Sequence, residues 1–251
     1  MESKKVKKRL DVILVERGLA ATREKAQALI LSGNVLVEDA PADKVGVKYA
    51  DDVNIRVRGE ASRFVGRGGD KIDPAFDFFA IDMNGVVALD VGASTGGFTD
   101  CMLQRGAKLV YAVDVGYNQL DNKLRSDDRV VVYEKTHAKD LGQIEFNPRP
   151  QFATIDVSFT GVRKVLSFVA ATNCKEILAL VKPQFELGPE YVSKGGVVKS
   201  EEHQLLAVQL VREYAEQLGL VAKGVFPCPL RGEKSGNQEY FLLLNNLVNR
   251  N

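Results

Sequence analysis

Leu89-Asp90-Val91-Gly92-Ala93-Ser94-Thr95-Gly96-Gly97-Phe98 is the stretch on which the fold turns. The run before it, Val86-Val87-Ala88-Leu89, reads as a buried parallel strand. Three glycines follow within six residues, then a helical pattern through Phe98, Cys101 and Met102 that stops at Gly106. Strand, glycine-rich turn and helix together present backbone N–H groups and a helix N-terminus to a ligand. Glycine is expected in the turn because a Cβ would hold the ligand off the backbone. The string is neither the dinucleotide pattern G-x-G-x-x-G nor a P-loop, since Ala93-Ser94 follows Gly92 and no Gly-Lys-Ser/Thr closes it. Taken alone it also fits a simple tight turn.

The 251 residues have room for one large α/β domain and a small one. A composition of 45% apolar and 27% charged residues is that of a soluble chain, and no run of 18 apolar residues offers a membrane span. The basic start, Met1 to Arg9, has no apolar core behind it, so no secretory signal is expected. Cys101, Cys174 and Cys228 lie far apart without C-x-x-C spacing. That pattern predicts neither a disulfide framework nor a metal site, and fits a reducing cytoplasm. The net charge of +1 is uneven: residues 1–71 hold 15 Lys/Arg against 11 Asp/Glu, and the remainder 19 against 22. A basic small half suits a phosphate backbone as partner.

In that half, Leu10, Ile13 and Leu14 share a helical face ending at Gly18. Thr22 is an N-cap for a second helix with the stripe Ala26, Leu29, Ile30, closed by Gly33. The period then falls to two at Val35/Val37 and Val53/Ile55/Val57. The polar faces carry Lys8, Arg9, Arg23, Lys25, Arg56 and Arg58. Residues 9–58, with Thr22-Arg23-Glu24-Lys25-Ala26 and Ser32-Gly33-Asn34-Val35-Leu36-Val37 as cores, resemble the small RNA-binding domain named after the fourth protein of the small ribosomal subunit. The resemblance implies that Arg23, Lys25 and neighbouring basic residues face RNA; Lys8, Arg9 and Arg67 complete the candidate set. Without stacking aromatics among them, phosphate and shape contacts would dominate. The expected layout is residues 1–59 as the RNA-binding domain, 60–70 as a glycine-rich linker and 71–251 as the large domain. Asp70 and Asp73-Pro74 are competing starts for the next helix, so Lys71 falls either just before it or at its opening.

From Val86 the chain alternates strands and helices. Strands are expected at 86–89, 108–114, 130–133, 152–155, 176–181, 220–226 and 239–244, with a long helix from about Ser200 to Gly219. This is a Rossmann-like α/β domain of seven strands, its last strand antiparallel, with ligands expected beyond the carboxyl ends of the strands. Asp114, 24 residues after Asp90, ends the second strand, where a carboxylate can accept both hydroxyls of a ribose. A glycine turn lacking the pyrophosphate pattern then favours S-adenosylmethionine over a dinucleotide. The expected cofactor contacts are Asp90, Gly92, Ala93, Ser94, Thr95, Gly96, Gly97, Phe98 and Asp114. Asp90 either approaches the cofactor through water or holds the turn from behind.

Asp90-Val-Gly-Ala-Ser-Thr-Gly-Gly-Phe98, Asp114-Val-Gly, Ile155-Asp-Val-Ser-Phe159, Val181-Lys-Pro-Gln-Phe185 and Gln238-Glu-Tyr240 occur in that order. With the N-terminal module they resemble the TlyA (haemolysin A) family, whose large domain is similar to the FtsJ-type ribose 2′-O-methyltransferases. The resemblance implies methyl transfer to ribosomal RNA in the cytoplasm and a catalytic tetrad at Lys71, Asp156, Lys182 and Glu239. The chemistry asks for such a set. A ribose hydroxyl is a poor nucleophile, so its proton must be taken or its developing charge stabilised as it attacks a sulfonium methyl. One departure stands out. Where FtsJ-type enzymes place an acid near the adenine amino group, this chain has Lys135-Thr136-His137-Ala138-Lys139-Asp140, so adenine recognition is expected from the backbone around His137 and Ala138.

Two other functions compete. A cytolysin, suggested by the haemolysin name, is disfavoured by the lack of a signal, a spanning helix or alternating barrel segments. A non-catalytic RNA-binding assembly factor is disfavoured by the intact turn, Asp114 and tetrad. The loop 187–199, with Lys194 and Lys199, and the turn holding Arg231, Lys234 and Ser235 are candidate RNA-contacting edges.

Overall fold

The computed structural model describes residues 7–38, 40–57, 63–232 and 236–247. The chain forms two compact units, Met1–Ser62 and Arg63–Asn251. The first holds β1 (Lys7–Arg9), α1 (Leu10–Glu16), α2 (Arg23–Leu31), β2 (Val35–Val37), β3 (Ala40–Pro41), β4 (Lys48–Ala50) and β5 (Ile55–Val57). Thr22 Oγ1 accepts from Lys25 N at 3.3 Å to cap α2, and Gly33, at φ 70°, lets the chain turn out of it. Leu10, Leu14, Ala26 and Ile30 pack on Val35 and Val37 of β2, which lies between β3 and β5. β1 pairs with β4 in a second small sheet. β1 (Lys-Lys-Arg), β3 (Ala-Pro) and β4 (Lys-Tyr-Ala) lack the alternating valines and isoleucines that mark β2 and β5, which is why they escape a sequence reading.

The second unit opens with α3 (Arg67–Phe78), followed by β6 (Val87–Val91), α4 (Gly97–Gln104), β7 (Leu109–Val113), α5 (Asn122–Arg125) and β8 (Val130–Tyr133). β9 (Phe152–Ile155), α6 (Leu166–Ala170), β10 (Glu176–Val181), α7 (Pro183–Glu186), α8 (Glu201–Gln217), β11 (Leu220–Pro227) and β12 (Tyr240–Asn246) complete it. The sheet order is β11-β12-β10-β9-β6-β7-β8, parallel except for β12, which runs against both its neighbours. The Rossmann-like expectation holds, including the antiparallel last strand. Alternate residues feed two cores. Ala88, Leu180 and Phe241 join Phe76 and Met102 on one face, and Leu89, Val181 and Leu242 join Val211 on the other. Burial on both faces explains the near-continuous apolar strands.

The stretch expected to be a linker is corrected in part. α3 begins at Arg67, with Gly66 as N-cap, so residues 67–70 are helical and Lys71 lies inside the helix. Asp73 is no cap. Its carboxylate is taken by Arg63 and by Arg105, whose Nε stands 2.6 Å away. Pro74 sits within α3 and forgoes only the bond its missing N–H would have given to Asp70. The glycines serve helix packing rather than flexibility: a Cβ on Gly97 would fall 2.8 Å from Gly69 N and 2.9 Å from Gly68 Cα. α3 is thereby pressed onto α4, which fixes where Lys71 emerges.

Candidate active site

Parallel pairing sets Asp156 just past β9 and Lys182 just past β10, while antiparallel pairing of Val181 with Tyr240 brings Glu239, just before β12, to the same edge. Lys71 reaches this edge from α3. Its Nζ donates to Glu239 Oε2 at 2.7 Å, and Lys182 Nζ lies 2.6 Å from Asp156 Oδ1. Burial works against the Lys71 ammonium, but the Asp156 and Glu239 carboxylates outweigh it and hold its pKa above the ordinary lysine value. Lys71 is therefore a standing positive charge. The structure brings all four residues together. Lys182 also donates to Ser158 Oγ at 3.0 Å. Asp156 Oδ1, although in ion contact with Lys182, is buried and has no aligned hydrogen-bond donor among the described residues.

Beside this cluster a cavity of about 760 Å³ opens over the ends of β6, β7 and β9. Gly92, Ser94, Asp114, His137, Ala138 and Asp156 are among its walls. Asp114 Oδ2 accepts from Ser94 N at 2.8 Å and Oδ1 from Gly116 N at 2.6 Å, so the acid ties the glycine turn to its own loop. Each oxygen keeps a lone pair for a ligand hydroxyl. A cavity of this size, walled by the Asp114 carboxylate and the backbone of the glycine turn, fits a nucleoside.

Six of the expected cofactor contacts do not line this cavity. Asp90 is fully buried, accepting from Thr99 Oγ1 at 2.6 Å and Thr154 Oγ1 at 2.9 Å, and burial pushes its carboxyl up to about 6. It braces the turn from behind. Ala93 and Phe98 belong to the core, and the carbonyl of Thr95 accepts from Asp121 N at 3.1 Å. Gly96 faces Leu120 and Leu124, and Gly97 faces α3. Gly92 too is explained differently from the sequence reading. At φ 88°, a Cβ on it would strike the carbonyl oxygen of Asp156 at 2.3 Å, so the glycine is demanded by the neighbouring turn.

Sequence reasoning missed Ser158 and Phe159. Phe159, at φ 64° and 86% exposed, stands in the cavity wall. Both lie in the quoted stretch Ile155-Asp-Val-Ser-Phe159, where only Asp156 was given a role.

The basic candidates of the first unit have internal partners. Lys8 pairs with Glu16 at 2.7 Å and Asp51 at 3.3 Å. Arg9 and Arg23 converge on Asp11, which is fully buried and also accepts from Gln27 Nε2 at 3.0 Å. The Arg9 guanidinium, with Gln27 and Arg23 adding to it against the cost of burial, holds the Asp11 carboxyl far below the usual range. Lys25 is exposed and forms no ion pair among the described residues. Arg67 opens α3 and donates to the Arg231 carbonyl at 3.5 Å. Arg58, Lys234 and Ser235 lie outside the described residues, as does the side chain of Arg56.

The loop around Lys194 is fastened to the edge that carries Glu239. Asn237, two residues before Glu239, accepts from Val198 N at 2.8 Å and donates to the Gly196 carbonyl at 2.7 Å. Among the described residues no group of His, Cys, Asp or Glu could hold a metal ion, and no helix is long and apolar enough to cross a membrane.

Residues 64–246 match the FtsJ-like methyltransferase family, and residues 8–51 match the S4 domain. The 16S/23S rRNA (cytidine-2′-O)-methyltransferase TlyA of Mycobacterium tuberculosis is 42% identical, over 96% of this chain and 91% of that protein. Hemolysin A of Brachyspira hyodysenteriae is 39% identical, over 92% of this chain and 97% of that one. A solved structure from Streptococcus thermophilus, provisionally described as a hemolysin, superposes with a TM-score of 0.74 at 38% identity, covering 97% of this chain and 90% of that one.

Proposed function

This chain belongs to the FtsJ-like methyltransferase family, and from that premise we propose that it transfers a methyl group from S-adenosylmethionine to a ribose 2′-hydroxyl of ribosomal RNA. The observation that carries this reading is the pairing of Lys71 with Glu239 and of Lys182 with Asp156, the last of which reaches the wall of the nucleoside-sized cavity.

When bound, S-adenosylmethionine supplies an electrophilic methyl group on a sulfonium. The protein holds and orients it. Asp114 would take the hydroxyls of its ribose, the backbone around Thr136 to Ala138 would border its base, and Gly92 and Ser94 would border its amino-acid part. Lys182 stands against the attacking hydroxyl, steering its proton away and facing the negative charge that gathers on the oxygen. Lys71 adds a second fixed positive charge, and Glu239 and Asp156 hold the two nitrogens in register. Correct alignment of hydroxyl and methyl supplies much of the remaining acceleration.

The first unit anchors the RNA through phosphates, with Lys25, which forms no ion pair among the described residues, as one cation and Lys8, Arg9 and Arg23 as charges already braced by acids. Residues 1–59 serve as that anchor and residues from 71 onward as the catalytic domain. Ribosomal subunits are the natural partners, which places the work in the cytoplasm.

Mapping of 2′-O-methyl groups on ribosomal RNA from cells with and without this gene tests the reading. It predicts the loss of at least one site and its restoration by the wild-type gene. An unchanged map would overturn it.

A further inference from the structure

Lys182 ends in an ammonium on a flexible four-carbon stem, which needs external contacts to hold one position. Asp156 Oδ1 stands 2.6 Å from its nitrogen on one side, and Ser158 Oγ accepts from it at 3.0 Å on another. The Asp156 contact is not aligned as a hydrogen bond, so the bond to Ser158 is the directional one. Lys182 is buried while Ser158 is exposed in the cavity wall, so the serine meets the lysine where a substrate would enter.

The backbone gives Ser158 little room to drift. The carbonyl of Asp156 occupies the space a Cβ on Gly92 would need, wedging the segment that carries Ser158 against the glycine turn. Phe159, directly after it, holds a left-handed conformation at φ 64°, which an L-residue adopts only when its surroundings impose it.

We propose that Ser158 is a positioning residue for methyl transfer: its hydroxyl fixes the Lys182 nitrogen so that its remaining position faces the target ribose hydroxyl. The proposal rests on the reading of Lys182 as the group set against that hydroxyl. Ser158 acts through Lys182 and contributes little to holding cofactor or RNA. The hydroxyl itself is what matters, so threonine serves and alanine does not.

The test is steady-state methyl transfer to ribosomal RNA by wild type, Ser158→Ala, Ser158→Thr and Lys182→Ala, with S-adenosylmethionine affinity measured by titration. Ser158→Ala is expected to lower kcat by roughly 10- to 100-fold, with KM for RNA and cofactor affinity within about threefold of wild type. Ser158→Thr is expected to recover most of kcat. A Ser158→Ala enzyme with undiminished kcat, or one impaired only in KM, overturns the proposal. So does a Ser158→Thr enzyme as slow as the alanine variant, because side-chain shape would then be the cause. Full activity in Lys182→Ala would instead overturn the parent reading.

Discussion

Lys71 and Glu239, 168 positions apart in the chain, meet at 2.7 Å with side-chain exposures of only 12% and 3%. A pair so withdrawn from water depends on both members, because removal of one leaves the other as an uncompensated buried charge. Glu239→Gln is expected to destabilise the protein by about 3–5 kcal/mol, with Lys71→Met similar. The double variant should lose less than the sum of the two. Urea denaturation of all four proteins measures this, and strict additivity would show that the two side chains do not interact.

Asp90 gives a pH signature. Burial raises its carboxyl from 3.8 to about 6, against the pull of the Thr99 and Thr154 hydroxyls. Below about pH 4 the group is protonated both folded and unfolded. As pH rises the unfolded chain ionises first, so this share of stability is lost between about pH 4 and 6 and stays lost above, roughly 3 kcal/mol in all. Asp90→Asn should therefore gain on wild type as pH rises from 4 to 7. A difference between the two proteins that does not change with pH would contradict the assignment.

Gly97 separates the two readings of the glycine turn. If it served cofactor approach, Gly97→Ala would weaken cofactor binding first. Its would-be Cβ instead meets the backbone of Gly68 and Gly69. Gly97→Ala should push α3 from α4, cost roughly 1–3 kcal/mol, and reduce kcat by displacing Lys71 more than it weakens cofactor binding. Thermal unfolding and cofactor titration on the same variant decide between them.

RNA affinity should respond unequally to the basic residues of the first unit. Lys25→Ala removes an unpaired charge and should lower the slope of log affinity against log salt by about 0.7–0.9. Arg23→Ala removes a charge already engaged with Asp11, which is fully buried, so part of its effect should be a loss of stability. An unchanged salt slope in the double variant would place the RNA elsewhere.

The seven strands and the antiparallel last one were legible because each strand is an apolar run, several of them closed by a charged residue; the set Lys71, Asp156, Lys182 and Glu239 came from the family resemblance and not from the alternation. Asp114 was legible as the acid that closes the second of those strands. What the chain did not reveal was which way each residue faces. Gly96, Gly97 and Phe98 look like ligand contacts in a glycine-rich string, yet they turn toward α5, α3 and the core because tight helix packing asks for the same small residues as ligand approach does. The start of α3 was hidden because Gly66, Gly68 and Gly69 look like linker composition, although they let two helices touch. Nothing in the sequence singles out Asp11. Only the fold shows Arg9, Arg23 and Gln27 gathered on it.

The most direct measurement is transfer of labelled methyl from S-adenosylmethionine to ribosomal RNA by wild type and Lys182→Ala, with cofactor affinity determined on both proteins. The expected result is a loss of at least about 100-fold in kcat for the variant, with cofactor affinity within about threefold of wild type. Equal rates in the two proteins would show that the Lys182–Asp156 pair does not face the reacting hydroxyl.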